Sequence, residues 1–109
     1  MNQLEPKAIK INCELNEYQR LLKCGEDTST IHAGMVCIEP GKSIGKHNTK
    51  DGEEVLIILK GEGEMLFESY ERLKMEEGFI IYCPSYIEHD VKNTGKEMLR
   101  YIFIVAKNY

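Results

Sequence analysis

The chain has 109 residues, a formal net charge of -4 and 42% hydrophobic residues, the size and composition of one ordinary globular domain over residues 1–109. Charges of both signs are mixed along the chain and no basic run occurs, so nucleic acid is not an expected partner. The chain shows neither a signal-peptide core at its start nor a stretch of ~20 apolar residues. We therefore expect no membrane partner and a cytoplasmic location.

The first predicted elements are strands. Residues 7–13 alternate Ile9, Ile11 and Cys13 with polar neighbours, which predicts a strand. Residues 17–24 fit either a short helix or a strand. A Gly/Asp/Ser turn and the β-branched run 30–39 follow, and this order favours a hairpin of two strands.

The middle of the chain predicts a loop followed by a buried strand. Pro40 and Gly41 end the preceding run, and residues 42–52 are polar. Residues 54–60 are apolar on both faces, as in a strand that is packed on two sides. A turn is predicted at 61–63.

The rest of the chain continues in short strands. Residues 64–78 carry the chain back, 79–84 form a strand that Pro84 ends, Val91 marks a further short strand, and 98–106 close the chain with strong β-formers. Seven to nine strands with little helix predict an all-β fold, closed as a barrel or a double-sheet jelly roll.

The four cysteines, at positions 13, 24, 37 and 83, are widely spaced and form no C-x-x-C pair. We expect four reduced thiols that pack as small apolar side chains, mostly in half-buried strands. Cys83 alone stands near a candidate site residue, and the alternative to core packing is a thiol at the mouth of a cavity.

The three histidines carry the chemical signal. His47 and His89 stand beside turn residues near strand ends, and Glu54 opens the most apolar strand. Two imidazoles and one carboxylate form a face that suits non-haem Fe(II), and Mn(II) or Zn(II) less well. Histidines are also often only polar surface groups, so composition and spacing leave both interpretations open.

Two spaced motifs then indicate a family. Gly41, His47, Thr49, Glu54 and Gly61 have the spacing of the first cupin motif, in which a second histidine usually stands where this chain has Thr49. The order and spacing of both motifs together are far more specific than either alone.

The second motif runs from Gly78 through Pro84, Tyr86 and His89 to Asn93. It resembles the second cupin motif, with Tyr86 in place of the usual glycine. The chain thus resembles a small single-domain cupin, and the resemblance implies a double-stranded β-helix barrel. It also implies a divalent ion, such as Fe, Mn, Zn or Ni, bound by His47, Glu54 and His89.

Thr49 leaves three interpretations open. In the first, the site uses three protein ligands and an extra open position. In the second, the Thr49 hydroxyl binds a metal-bound water. In the third, the metal site is weakened and the barrel binds a small molecule without metal. Direct ligation by the hydroxyl is disfavoured, because it is a poor ligand for such ions.

Further candidates come from the strands around the pocket that the resemblance implies. His32 precedes the first motif and is a candidate proton carrier, substrate contact or fourth ligand, unless it is simply exposed or packed. Tyr82 is a second candidate catalytic residue. Tyr82, Tyr101 and Phe103 are expected to flank the pocket, with core packing as the alternative.

Two functions remain open. The first is a metal-dependent enzyme, such as a dioxygenase or an isomerase, that acts on a small polar molecule in the barrel. The second is a non-enzymatic module that binds a sugar or an organic acid. The resemblance also implies a homodimer, with residues 7–13 as the candidate strand for exchange or edge pairing.

Overall fold

The computed structural model describes residues 4–107. This part of the chain contains eight strands and no helix, which confirms the all-β expectation. In chain order the strands are β1 (Gln19–Leu22), β2 (Ile31–Ile38), β3 (Glu53–Lys60), β4 (Glu62–Leu66), β5 (Leu73–Glu76), β6 (Ile80–Cys83), β7 (Asp90–Asn93) and β8 (Leu99–Ala106). Residues 4–107 include no helix of the length and apolar character that crossing a membrane requires.

The strands form two antiparallel sheets. One has the order β1-β2-β8-β3-β6 and the other the order β5-β4-β7. Their facing sides share one apolar core, to which the larger sheet contributes Leu56, Ile58 and Tyr101 and the smaller sheet contributes Met65 and Val91. This is the jelly-roll arrangement, with side chains of both inner faces packed between the sheets.

The loop between β2 and β3 is more regular than its polar sequence predicts. The Ile44 amide donates to the Val91 carbonyl, and Ser43 forms an antiparallel bridge with Lys92. The segment before β3 therefore runs beside β7 as an additional, irregular edge of the smaller sheet. It is this edge that brings the first motif next to the second.

Two residues of the motifs serve the fold. Gly61 has a positive φ of 89°, and a Cβ there would lie 2.6 Å from the Met98 carbonyl oxygen, so only glycine fits. Asn93 is fully buried, and its side-chain amide donates to the carbonyls of Ile38 and Glu97, each at 2.8 Å. Asn93 thereby ties the end of β2 to the turn before β8.

Two expectations from the sequence are wrong. Residues 7–13 form no strand: the side chain of Gln19 bonds the backbone of Lys10 and Asn12 in place of a neighbouring strand. In β3 only the face with Glu54 is fully buried, whereas Ile57 on the other face is 37% exposed. The preferred strand in 17–24 is confirmed as β1.

Candidate metal centre

Three side chains meet at one end of the barrel. The ligand atoms of His47, Glu54 and His89 all lie within 4.8 Å of one another. Glu54 is the second residue of β3, His89 directly precedes β7, and His47 lies in the segment beside β7. The structure thus brings together the three residues that the sequence predicted as ligands.

The backbone holds the two histidines as a pair. The amide of His47 donates to the carbonyl of His89 and the amide of His89 donates to the carbonyl of His47, both at 2.9 Å. The rings stand edge to face with centroids 4.3 Å apart. Their relative position therefore depends on two main-chain hydrogen bonds as well as on side-chain packing.

Each imidazole has its Nδ1 held by a backbone carbonyl. His47 Nδ1 lies 3.0 Å from the Gly45 oxygen, and His89 Nδ1 lies 2.8 Å from the Ile87 oxygen. Because a carbonyl only accepts, both Nδ1 atoms carry hydrogen. The opposite nitrogen, Nε2, is then the atom that would ligate an ion from each neutral ring, which is the way metal-bound histidines are usually oriented.

Glu54 and His89 also bind each other. Their carboxylate oxygen and Nε2 are 2.8 Å apart, and both side chains are buried. Burial lowers the pKa of His89, but the hydrogen bond to Glu54, the Ile87 carbonyl and the charges of Glu54 and Asp90 raise it, and the net effect is a pKa above the ordinary histidine value. A proton shared by this pair thus satisfies the buried carboxylate when no ion is bound.

Cys83 packs behind His89, with its Sγ 3.3 Å from Nδ1. Burial, with a contribution from the charge of Glu54, raises the pKa of this thiol to about 11. It therefore stays a protonated, fully buried side chain on the side of the ring away from Nε2. The alternative of a thiol at the cavity mouth is wrong. None of the four cysteines forms a disulfide among residues 4–107, but only Cys37 and Cys83 lie in strands, fewer than expected.

The set of donor atoms fits a divalent transition metal. Two imidazole nitrogens and one carboxylate are ligands for Fe(II), Zn(II) and Mn(II), and three ligands leave positions open. The Thr49 hydroxyl donates to the Gly52 carbonyl at 2.7 Å, so its one proton is used in the turn before β3. Its oxygen can still accept a hydrogen bond from a molecule in the pocket.

A pocket of about 560 Å³ opens beside the three residues. The register of three neighbouring strands determines which residues line it, since Val105 of β8 lies opposite both His32 of β2 and Glu54 of β3. His32 therefore faces the pocket, two strand spacings or about 10 Å from Glu54. At that distance it is not a fourth ligand, but it remains within reach of a molecule in the pocket.

Of the three aromatics predicted to flank the pocket, Tyr101 and Phe103 line it. Tyr82 does not. It is 53% exposed on the outer face of β6, and its hydroxyl donates to Glu53 at 2.5 Å. The placement of Tyr82 at the pocket is thus wrong, because Cys83, the next residue, pairs with Glu54 and takes the inward position.

Tyr18 is a pocket residue that the sequence did not identify. Its ring stacks on Phe103 with centroids 6.4 Å apart and lies over Gly34, where a Cβ would be 2.7 Å from the ring. The loop before it is held by Arg100, which donates to the carbonyls of Cys13 and Leu15 and, at 2.7 Å, to Asn16. Alternation gave no signal for Tyr18, because this residue lies just before β1.

Comparison with known proteins settles the family. The family model described as a cupin domain matches residues 34–105. The chain belongs to the cupin family. An RmlC-like cupin from Methanocaldococcus jannaschii with a double-stranded β-helix fold superposes with a TM-score of 0.79, over 96% of this chain and 94% of that one at 20% identity. A protein of Bacillus halodurans superposes with a TM-score of 0.80, over 95% of this chain and 84% of that one, at 18% identity.

The expected double-stranded β-helix is therefore confirmed for this cupin. Curated relatives are glucose-6-phosphate isomerases. The one from Pyrococcus abyssi is 39% identical over 62 residues, 53% of this chain and 33% of the relative. The one from Thermococcus gammatolerans is 33% identical over 82 residues, 71% of this chain and 43% of the relative. This cupin thus spans less than half the length of these relatives.

Proposed function

We propose that this cupin binds one divalent metal ion through His47, Glu54 and His89 and catalyses a reaction of a small polar molecule in the adjoining pocket. The observation that carries the proposal is the orientation of the two imidazoles. Backbone carbonyls hold Nδ1–H in both rings, so Nε2 is the nitrogen that each ring would offer to an ion, and the ion would displace the proton that His89 Nε2 shares with Glu54.

Among the reactions open to such a site, we favour isomerisation of a carbonyl compound. The support is the similarity to the glucose-6-phosphate isomerases, which covers 62 to 82 residues of this chain. An ion bound there would supply polarisation of a carbonyl oxygen. His32 is the side chain on the opposite wall that would exchange a proton with the bound molecule, while Tyr101 and Phe103 limit access of water.

The alternative is a binding module that works without metal. The observation that favours it is the direct hydrogen bond between Glu54 and His89, which satisfies the buried carboxylate by itself. Thr49, where a second histidine is usual, adds no strong ligand. In this case the pocket binds a sugar or an organic acid and no reaction follows.

Metal analysis separates these functions. Protein purified without chelating resin is expected to contain close to one equivalent of Fe, Mn, Ni or Zn, and Glu54→Ala and His89→Ala are expected to lose it. His32→Gln, which changes a pocket histidine outside the cluster, is the matched control and keeps the metal. Absence of metal, together with no thermal shift on adding any of these ions, contradicts the proposal.

A Thr49→His variant and an activity assay complete the test. If the natural site has three ligands, the variant binds metal more tightly, because a fourth ligand is added. The metal-loaded protein is then incubated with glucose 6-phosphate or fructose 6-phosphate, and interconversion is followed by NMR. Bound metal without any conversion of these compounds argues against the isomerase and for another reaction or for the binding module.

Homodimer formation stays a prediction. The outer face of the larger sheet is apolar, with Ile31 and Ile57 each 37% exposed, and Ile9 and Ile11 of the N-terminal segment line the same groove. A second copy covering this face would bury these side chains. Light scattering at micromolar concentration tests it, and a monomeric mass rejects it.

A further inference from the structure

The charged groups that line the pocket are mostly ammonium groups. Lys46 and Lys107 face it together with the imidazoles of His32 and His47, and Glu54 is the one acidic side chain among the pocket-lining residues of the described chain. His89 already offsets the charge of Glu54 through their hydrogen bond. The protein as a whole carries a charge of -4, so the pocket has the opposite sign to the molecule around it.

Of the two lysines that line the pocket, Lys107 is the one without an ion pair among residues 4–107. It follows β8 at the next inward position after Val105, and its amide donates to the Thr30 carbonyl at 2.9 Å, so its backbone is fixed at the pocket. It is half-buried and forms no ion pair with any residue between 4 and 107. Lys46, in contrast, pairs with Glu68 at 3.5 Å in an exposed position.

The wall beside this lysine is aromatic. Tyr18 lies nearly parallel to Phe103, with 19° between the ring planes, and His32 is tilted against the same Phe103 ring at a centroid distance of 5.7 Å. Such a wall offers a flat apolar surface with few polar groups. The pocket volume of about 560 Å³ lies in the range of small-molecule sites.

We propose that the pocket binds an organic anion, a carboxylate or a phosphate ester, whose charged group is bound by Lys107 and whose body lies on Tyr18 and Phe103. The proposal deepens the proposed function and rests on it only for the reacting end of the molecule, which faces Glu54. The ammonium group supplies the charge-assisted hydrogen bond, and the aromatic wall supplies apolar contact.

The test is a titration of the isotope-labelled protein followed by NMR, with and without Zn(II). The probes are benzoate and phenyl phosphate, with benzamide and benzyl alcohol as neutral molecules of similar shape. The anions are expected to shift the amide signals of Lys107, Val105 and His32, and to bind at least several-fold more tightly than the neutral probes. Their affinity is expected to fall with added salt.

Three variants locate the binding. Lys107→Gln is expected to weaken binding of the anions about tenfold and to leave the neutral probes unchanged, since it removes one charged contact. Lys96→Gln changes an exposed lysine outside the pocket and serves as the control. Tyr18→Leu is expected to weaken all probes, because it removes one ring of the wall.

The two anions distinguish the source of the charge: tighter binding of benzoate indicates a carboxylic acid, and tighter binding of phenyl phosphate indicates a phosphate ester. Equal binding of anions and neutral probes, full affinity in Lys107→Gln, or no shift by any probe at ~10 mM each overturns the proposal. Because metal content is measured separately, loss of anion binding in a protein that holds metal rejects only this inference, and the reverse result rejects only the metal site.

Discussion

Gly34 lies beneath the aromatic wall of the pocket, and Gly34→Ala tests whether the position of the Tyr18 ring requires glycine there. An added Cβ would lie 2.7 Å from Cε1 and from the hydroxyl of Tyr18 and 2.8 Å from Cε2 of Phe103, closer than carbon atoms approach in folded proteins. Tyr18 is 51% exposed and can swing outward, whereas Phe103 is packed against the core. We therefore expect the variant to fold with the Tyr18 ring displaced.

The change in the free energy of unfolding in Gly34→Ala is the sum of two opposing contributions. Loss of the Tyr18–Phe103 contact costs about 0.5–1.5 kcal/mol. Alanine in a strand is favoured over glycine by about 0.5–1 kcal/mol, and Gly34 has no positive φ that would strain it. The free energy of unfolding should therefore change by less than about 1 kcal/mol, while benzoate binding weakens as it does in Tyr18→Leu.

Urea unfolding of the wild type, Gly34→Ala, Tyr18→Ala and the double variant measures this. If the ring of Tyr18 is what the new methyl meets, the cost of Gly34→Ala becomes smaller in the Tyr18→Ala background. The reasoning is refuted if Gly34→Ala loses more than about 3 kcal/mol and the loss is the same in both backgrounds. That result would mean that Phe103 or the backbone, and not Tyr18, decides the fit.

Three further predictions follow from pH, strain and a buried charge. Because the pKa of His89 is raised in the folded state, its pair with Glu54 stabilises the metal-free protein below the pKa of an unfolded histidine, about 6.5, and this contribution is lost as pH rises through the higher folded-state pKa. Urea midpoints of wild type and His89→Gln between about pH 5 and pH 9 check this, and parallel pH profiles contradict it. Tyr86 has a positive φ of 62° and is 68% exposed, so Tyr86→Gly should stabilise the protein by up to about 1 kcal/mol, and a lowered thermal midpoint would argue against strain. Arg100→Met should cost about 2 kcal/mol and speed hydrogen exchange of the loop before Tyr18, because the buried guanidinium bonds that loop. Arg72→Met, which breaks the ion pair of an exposed arginine with Glu64, should change stability by less than about 0.5 kcal/mol. Equal effects of the two arginine variants would contradict the role of Arg100 in holding the loop.

The cluster of His47, Glu54 and His89 could be predicted from the sequence because it depends on spacing within two short motifs. Spacing to His47 and Gly61 selects Glu54 over Glu53 as the inward carboxylate, and the structure has Glu54 buried and Glu53 exposed. The turn residues around His47 and His89 indicated strand ends; His89 directly precedes β7, whereas His47 lies in an isolated bridge between β2 and β3. Local rules were sufficient here, because neither inference needed to know which strands are neighbours.

The predictions that fail concern residues whose position depends on which strand pairs with them. The alternation in residues 7–13 predicts a segment with one apolar side, and Ile9 and Ile11 do line a groove, but alternation cannot supply a neighbouring strand to bond with. Tyr82 was placed inward because the pairing of Glu54 with Cys83 is not visible in the sequence. Tyr18 and Lys107 lie just outside regular strands, where alternation does not apply.

The double backbone bridge between His47 and His89 has a consequence for how the protein is made. Neither histidine can take its position until the segment that carries the other one is present. The segment from Pro84 to His89 is synthesised well after Glu54. A chain that ends before His89 holds two of the three donors and lacks the bridge that orients one of them. An ion held by all three is therefore a reporter of completed folding, and its retention after heating or proteolysis measures whether the barrel has closed again.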